Sequence, residues 1–277
     1  MRWYADDSDI KTIKDQHVPN IVLFGGFVIE PSVEIALCAD IEKAKAKFTS
    51  PRNPVKWNFR DLKSKYKEQG HEEAYSNMLT KMRDIRIAIF EAASKHDFCI
   101  ILSVVEGYSS DKKVLKDVKS DLSRYVFTNS LMRFALHARD TSTTRPEIIL
   151  DWPDGGISKP YDNEYASAYN FGKTKDGVEF HSGPLKDLNF ADSPLFARMP
   201  HNTMLQFADL LVGVTREFIC HVIDPGKKGQ GLSLVKLISE KYRGYPNVVG
   251  RGINLGSGSQ ELSKEISKKF EDLYVSS

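Results

Sequence analysis

The stretch Met204-Leu205-Gln206-Phe207-Ala208-Asp209-Leu210-Leu211-Val212-Gly213-Val214 is too apolar to lie on a surface, yet it carries one carboxylate. A helix that is apolar on all sides has to be buried. A lone carboxylate inside it costs several kcal/mol unless it has partners. The fold must therefore enclose this helix and bring something to Asp209. Helical spacing sets Gln206, Asp209, Gly213 and Arg216 on one stripe, and the small Gly213 leaves room beside the carboxylate. Two partners are open to Asp209. One is Arg216, in a structural ion pair. The other is a metal cation shared with further carboxylates, since clustered carboxylates cannot all ionise without positive charge between them.

The other elements show where such carboxylates would come from. Residues 2–5 read as a short strand running into Asp6 and Asp7. Ile21 to Ile29 reads as a second strand, interrupted by Gly25-Gly26. Residues 33–47 look helical, and Pro51 and Pro54 end that pattern. Glu72 to Lys95 is a helix with Ile85, Ile89 and Ala92 at helical spacing, and Phe98 to Val105 is a buried strand. Asp111 to Ala138 is a long helix with Asp111 as N-cap; Glu147 to Asp151 is a short strand closed by a carboxylate. Pro153-Asp154-Gly155-Gly156 then turns the chain sharply. Residues 158–202 read as a loop-rich insertion with one strand near Val178–Phe180. Asn202 caps the apolar helix, which runs to about Val222 and ends at Pro225-Gly226. Helical segments Leu232–Lys241 and Glu261–Tyr274 form an extension over 229–277. The order predicts an α/β chain forming one unit over 1–277, with a mixed central sheet flanked by helices. The strand holding Tyr4 should lie beside the one holding Ile149.

Composition sets outer limits. The 277 residues, 41% hydrophobic and 27% charged, suit a globular chain with a sizeable core. No run approaches a membrane span, and Met1 to Asp7 lacks the apolar core of a signal peptide. Cys38, Cys99 and Cys220 have no metal-ligand spacing, and Cys99 and Cys220 sit in apolar runs as reduced cysteines do. These features point to the cytoplasm and away from membranes. The seven histidines lack zinc spacing, and His137, His181 and His201 read as polar or capping residues. Ser8 has no evident His or Asp partner. The glycines at 250, 252, 256 and 258 read as a flexible loop, without the strand and helix a dinucleotide site needs.

Charge is unevenly spread. Lys43 to Lys67 holds nine basic residues and one acid, Asp61; this segment carries +8, leaving −6 for the rest of a chain whose total is +2. Phe48, Trp57, Phe59 and Tyr66 lie between the cations. Cations interleaved with aromatics suit a phosphate backbone and its bases; a solvated face is the alternative. Lys56, Trp57, Arg60 and Lys63 are the candidate substrate contacts of this segment, and Gln206 that of the apolar helix. Lys56 and Asp61 can also serve the carboxylate site, as a substrate contact or a further ligand.

Ligands of α/β sheets gather at strand ends, which singles out Asp6, Asp7 and Asp151 beside Asp209. Asp6, Asp151 and Asp209 are the candidate metal ligands. Asp7 joins the catalytic candidates, although adjacent strand residues face opposite sides. Hard oxygen donors select Mg²⁺ or Mn²⁺. Two such ions about 4 Å apart activate a water and stabilise the leaving oxygen of a phosphodiester. The segment Tyr4-Ala5-Asp6-Asp7-Ser8 resembles the strand-ending Asp-Glu-Ser motif of the bacterial family called domain of unknown function 3800. Gly25-Gly26 matches its second-strand glycines, and Ile149-Leu150-Asp151 falls where it has a strand-ending aspartate. Leu205-Gln206-Phe207-Ala208-Asp209-Leu210-Leu211-Val212-Gly213 resembles its Leu-Gln-x-Ala-Asp-x-x-x-Gly signature. Asp7 stands for the family's glutamate and Asp9 for its glycine. The resemblance spans positions 4 to about 217. It implies a ribonuclease-H-like fold with carboxylates on the first strand, a later strand and a C-terminal helix. The leading expectation is a divalent-metal-dependent nuclease on DNA or RNA, acting in bacterial defence, with a protein partner in such a system. The alternative is a catalytically inactive nucleic-acid-binding or protein-interaction module that keeps the fold.

Overall fold

The computed structural model describes residues 1–8, 10, 18–68, 70–109, 111–141, 145–152, 160–256 and 258–275. The expected Pro153–Gly156 turn, the start of the expected insertion and Asp9 lie outside these residues. Six strands form one mixed sheet in the order β5-β4-β1-β2-β3-β6. Strands β1 (Arg2–Asp7), β2 (Ile21–Ile29) and β3 (Cys99–Glu106) make an antiparallel meander. Strand β4 (Glu147–Asp151) adds to β1 in parallel, and β5 (Leu195–Ala197) adds to β4 in the same sense. Strand β6 (Ile253–Leu255) runs parallel to β3 at the other edge. The expected neighbourhood of Tyr4 and Ile149 is thus present, as partners in register.

Every residue of β2 is buried, because the strand has a neighbour on each side and helices on each face. Its two glycines let the neighbours close in. A Cβ at Gly26 would stand 2.0 Å from the Tyr4 carbonyl oxygen, and one at Gly25 would stand 2.4 Å from that of Ile101. Ser8 extends the pairing of β1 as a backbone mimic: its hydroxyl accepts from the Leu23 N–H at 2.8 Å, and its own N–H donates to the Leu23 carbonyl.

Strand alternation divides the core in two. Tyr4, Phe27, Ile100, Leu102 and Ile149 face one side, and Trp3, Ala5, Phe24, Ile101 and Leu150 the other. The first side is covered by α1 (Pro31–Ala46), α3 (Glu72–Ala93), α6 (Thr203–Ile223), α7 (Gly231–Ile238) and α8 (Gln260–Val275). The second is covered by α4 (Lys112–Thr141) and α5 (Tyr161–Phe171). A short helix, α2 (Lys63–Glu68), packs beside α3. Helix α6 touches both β1 and β2, which is why it is apolar nearly all round. Asn202 caps it, accepting from the Leu205 N–H at 3.0 Å, and Asp111 caps α4 through the Lys113 and Val114 N–H groups.

Three expectations change. The segment read as a loop-rich insertion holds α5, whose Tyr161, Tyr165 and Ala168 pack on the second core at helical spacing, and the edge strand β5. The strand expected near Val178–Phe180 is only an isolated bridge between Lys173 and Glu179. The glycine-rich run contains β6, whose three residues are held by pairing with β3 rather than by propensity. Cys220 is buried, Cys38 and Cys99 are half-buried, and all three are free thiols.

Candidate functional site

The parallel ladder of β1 and β4 pairs Ala5 with Leu150, and the next residue on each strand is a carboxylate, Asp6 and Asp151. Alternation puts Asp6 on the face of Tyr4 and Asp151 on the face of Ile149, the face covered by α6. Asp209 stands on that helix. The three carboxylates thus meet where two strand ends open over α6. Each has one oxygen held by a backbone N–H. Asp6 Oδ1 accepts from Asp7 at 2.8 Å, Asp151 Oδ1 from Met199 at 2.8 Å, and Asp209 Oδ2 from Trp57 at 2.5 Å.

Electrostatics joins the groups. Burial, then the charges of Asp209, Asp7 and Asp151, hold Asp6 well above the usual carboxylate range, with Lys56 opposing. Burial pushes Asp209 up to about 6; Lys56 and the Trp57 N–H pull it back, while Asp151 and Asp61 add to the rise. Burial draws the Lys56 ammonium down, but Asp209, Asp6, Asp151 and Asp61 outweigh it and leave the group with a raised affinity for its proton. Lys56 is the cation that answers all three carboxylates. Arg216 is not their partner: its Nε donates to the Ile21 carbonyl at 3.2 Å.

Lys56 is delivered by the stripe read from the sequence, although the stripe works differently from the expectation. Gln206 is buried and fully engaged. Its Oε1 accepts from Lys45 Nζ at 2.8 Å and the Val55 N–H at 3.3 Å, and its Nε2 donates to the Met199 and Pro200 carbonyls at 3.2 Å each. It fastens two backbone segments and has no group left for substrate. Asp209 holds the Trp57 N–H one turn later. Gly213 leaves room not for the carboxylate but for Trp57, since a Cβ there would stand 2.0 Å from the indole Cγ. Arg86 of α3 closes the other side, its guanidinium 3.8 Å from the indole centroid, and donates to the Trp57 carbonyl. Trp57 is therefore packed in place. Its neighbour Lys56 is pinned between two anchored residues. Arg86 and Lys45 were not singled out by the sequence reading; each is a cation inside an apolar helical stripe, and that was the available signal.

The basic segment also differs from a stacking platform. Phe59 and Tyr66 are buried, Phe59 stacks on Tyr75 at 5.7 Å, and Lys45 is buried with its affinity for a proton lowered to about 8 by desolvation. Lys43, Lys47, Arg52, Arg60, Lys63 and Lys67 remain exposed. Arg60 and Lys63 thus stand on the outer side of the segment whose inner side carries Lys56. Asp61 is exposed and accepts from Asn58 Nδ2 at 2.8 Å. Asp7 lies on the opposite face from Asp6, toward the buried Tyr161 hydroxyl, whose proton its charge helps retain after burial.

The donor set of Asp6, Asp151 and Asp209 is all oxygen and carries more negative charge than Lys56 offsets, which suits a hard divalent cation. Among the described residues no three His, Cys, Asp or Glu side chains are placed so that they could hold a metal ion as they stand; Lys56 supplies the positive charge beside the three carboxylates. Among the described residues no helix is long and apolar enough to cross a membrane. No family model, curated protein or solved structure matches the chain.

Proposed function

We propose that this chain is a ribonuclease-H-like, divalent-metal-dependent nuclease acting on DNA or RNA phosphodiesters. One observation carries the reading: Asp6 and Asp151 on two neighbouring strand ends and Asp209 on the facing helix lie within electrostatic reach and oppose one another's ionisation. Carboxylates on the first strand, a later strand and a helix toward the C-terminus are what the resemblance to the domain of unknown function 3800 family implies.

Asp6, Asp151 and Asp209 would hold Mg²⁺ or Mn²⁺, which supplies an activated water and charge stabilisation at the leaving oxygen. The chain's own groups do the rest. The Trp57, Met199 and Asp7 N–H groups fix one oxygen of each carboxylate and so orient the other. Lys56, beside the same three carboxylates, would offer its ammonium to a phosphate oxygen of the substrate. Arg60 and Lys63 lie exposed on the same segment, where a backbone leaving the crevice would meet them.

The test is cleavage of labelled single- and double-stranded DNA and RNA with Mn²⁺, Mg²⁺ or chelator. Metal-dependent cleavage that disappears in Asp6→Asn and in Asp151→Asn is the expected result. No cleavage of any of the four substrates, or cleavage indifferent to both substitutions, would overturn the assignment. Lys56 favours a second reading, a catalytically inactive module that keeps the fold, because it gives the crevice an internal counter-charge without any ion.

A further inference from the structure

A second charged cleft lies across the sheet from the carboxylates, where α4 meets the turn leading into β6. An open space of about 400 Å³ is lined by Arg133, Arg139, Asp140, Arg243, Gly244 and Arg251. Four guanidinium groups and one carboxylate line it. Asp140 accepts from Arg243 at 2.8 Å and from Arg139 at 3.3 Å. Arg133 donates to the neutral Asn254 Oδ1 at 3.1 Å, and among the described residues neither Arg133 nor Arg251 has a carboxylate partner. His137 adds no negative charge, and burial followed by Arg243 disfavours its protonation.

Arginine does not escape such crowding by losing its proton. Arg139 and Arg251 are exposed and Arg133 and Arg243 half-buried, and the backbone positions two of the four. Arg243 is fixed by donating to the Arg133 carbonyl at 3.2 Å. The stem of Arg251 lies across Gly244, where a Cβ would come within 2.4 Å of Arg251 Cδ; Gly244 also has a φ of +84° that favours glycine. The cleft therefore presents donor forks with positive charge in excess, over a lining to which Leu136 adds the one large apolar side chain. That is the chemistry of an oxyanion site, and the planar guanidinium fork matches the edge of a phosphate.

We propose that the Arg133–Arg139–Arg243–Arg251 cleft binds a phosphate-bearing ligand. The proposal does not depend on the carboxylate crevice being a nuclease site. Two sources share the chemistry: a small di- or polyphosphate, or the backbone of a nucleic-acid strand. The experiment is titration of the full chain with pyrophosphate by calorimetry, and with a labelled single-stranded oligodeoxynucleotide by anisotropy over a range of salt. The wild type binds at least one probe. Arg251→Glu weakens that binding by about tenfold or more and flattens its salt dependence, because a phosphate contact releases counterions. Arg139→Gln, at the exposed end of α4, repeats the loss more weakly and decides the matter should Arg251→Glu fold poorly. Pyrophosphate binding assigns a small phosphate ligand; oligonucleotide binding alone assigns a strand. Arg139 and Arg251 lie outside the carboxylate crevice, so their effect on binding reads this cleft alone and the two sites fail or stand separately. A wild type that binds neither probe, or variants that bind as the wild type does, would overturn the proposal.

Discussion

Asp209→Asn is the perturbation that separates a metal ligand from a structural carboxylate. The side chain keeps its shape and an oxygen for the Trp57 N–H, so the anchor on the segment carrying Lys56 survives as a neutral bond. Exchanging a charge-assisted bond for a neutral one costs about 1 kcal/mol. Against this stands the strain of the charge itself. A carboxylate pushed from 3.8 to about 6 is disfavoured when ionised; at about 1.4 kcal/mol per unit, shared among coupled groups, that strain is on the order of 1–3 kcal/mol. The two nearly cancel, and the metal-free variant should be as stable as the wild type or somewhat more so. The ion changes the balance. A ligand at about one hundred times its dissociation constant stabilises the folded state by about 2.7 kcal/mol, which for a chain of this size raises Tm by about 5–10 °C. Differential scanning fluorimetry with millimolar Mn²⁺, Mg²⁺ or chelator reads this directly. Wild type should respond and Asp209→Asn should not. A wild-type Tm indifferent to both ions refutes the metal reading. Equal shifts in the two proteins place the ion elsewhere.

Three further outcomes follow from the same geometry. In the folded chain Asp209 takes up its proton near pH 6 and in the unfolded chain near 3.8. The folded state therefore binds more protons between those values and gains stability as pH falls through them; relative to Asp209→Asn, urea midpoints of the wild type should rise from pH 7 to about pH 4, and a flat difference contradicts the raised affinity. Gly213→Ala sets a Cβ 2.0 Å from Trp57 Cγ, so the indole must leave, at about 1–3 kcal/mol; chemical denaturation and indole fluorescence check this, and a variant with wild-type midpoint and emission would mean Trp57 is not seated there. Lys56→Gln removes the cation facing Asp6, Asp151 and Asp209. It should lower metal-free Tm and raise Mn²⁺ affinity, with Mn²⁺ restoring the loss; destabilisation that Mn²⁺ does not rescue supports the inactive module instead.

The parts of the fold that were legible in the sequence are those whose pattern follows from burial on two sides. The runs Ile21–Ile29 and Ile148-Ile149-Leu150 had to be interior strands, and a helix as apolar as α6 had to be central. The edge strands were not legible, because Leu195–Ala197 and Ile253–Leu255 are three residues long and exist only through the strand beside them. Helix α5 was hidden for another reason: its tyrosines bury themselves on α4 and the sheet while asparagines and acids give the segment the composition of a loop. In the candidate site, sequence reached Asp6, Asp151 and Asp209 because an acid closing an apolar strand, or set within an apolar helix, needs a reason. It did not reach the roles of Trp57 and Gln206. Aromatics between cations describe a nucleic-acid face and a small packed cap equally well, and only the positions of Gly213, Arg86 and Tyr75 decide between them.

The two sides of the carboxylate crevice are joined to the molecule by different kinds of bond. Asp6 and Asp151 end adjacent strands, so their separation is set by a backbone ladder with a spacing of about 4.8 Å and yields little. Lys56 is held through Trp57 and Val55, by one carboxylate, one amide and a ring laid against a glycine. One jaw is thus stiff and the other is a catch. A change of charge on Asp209 is felt by the Trp57 N–H bonded to it, while the ladder that spaces Asp6 and Asp151 is untouched. The indole is therefore a built-in gauge of the state of the crevice.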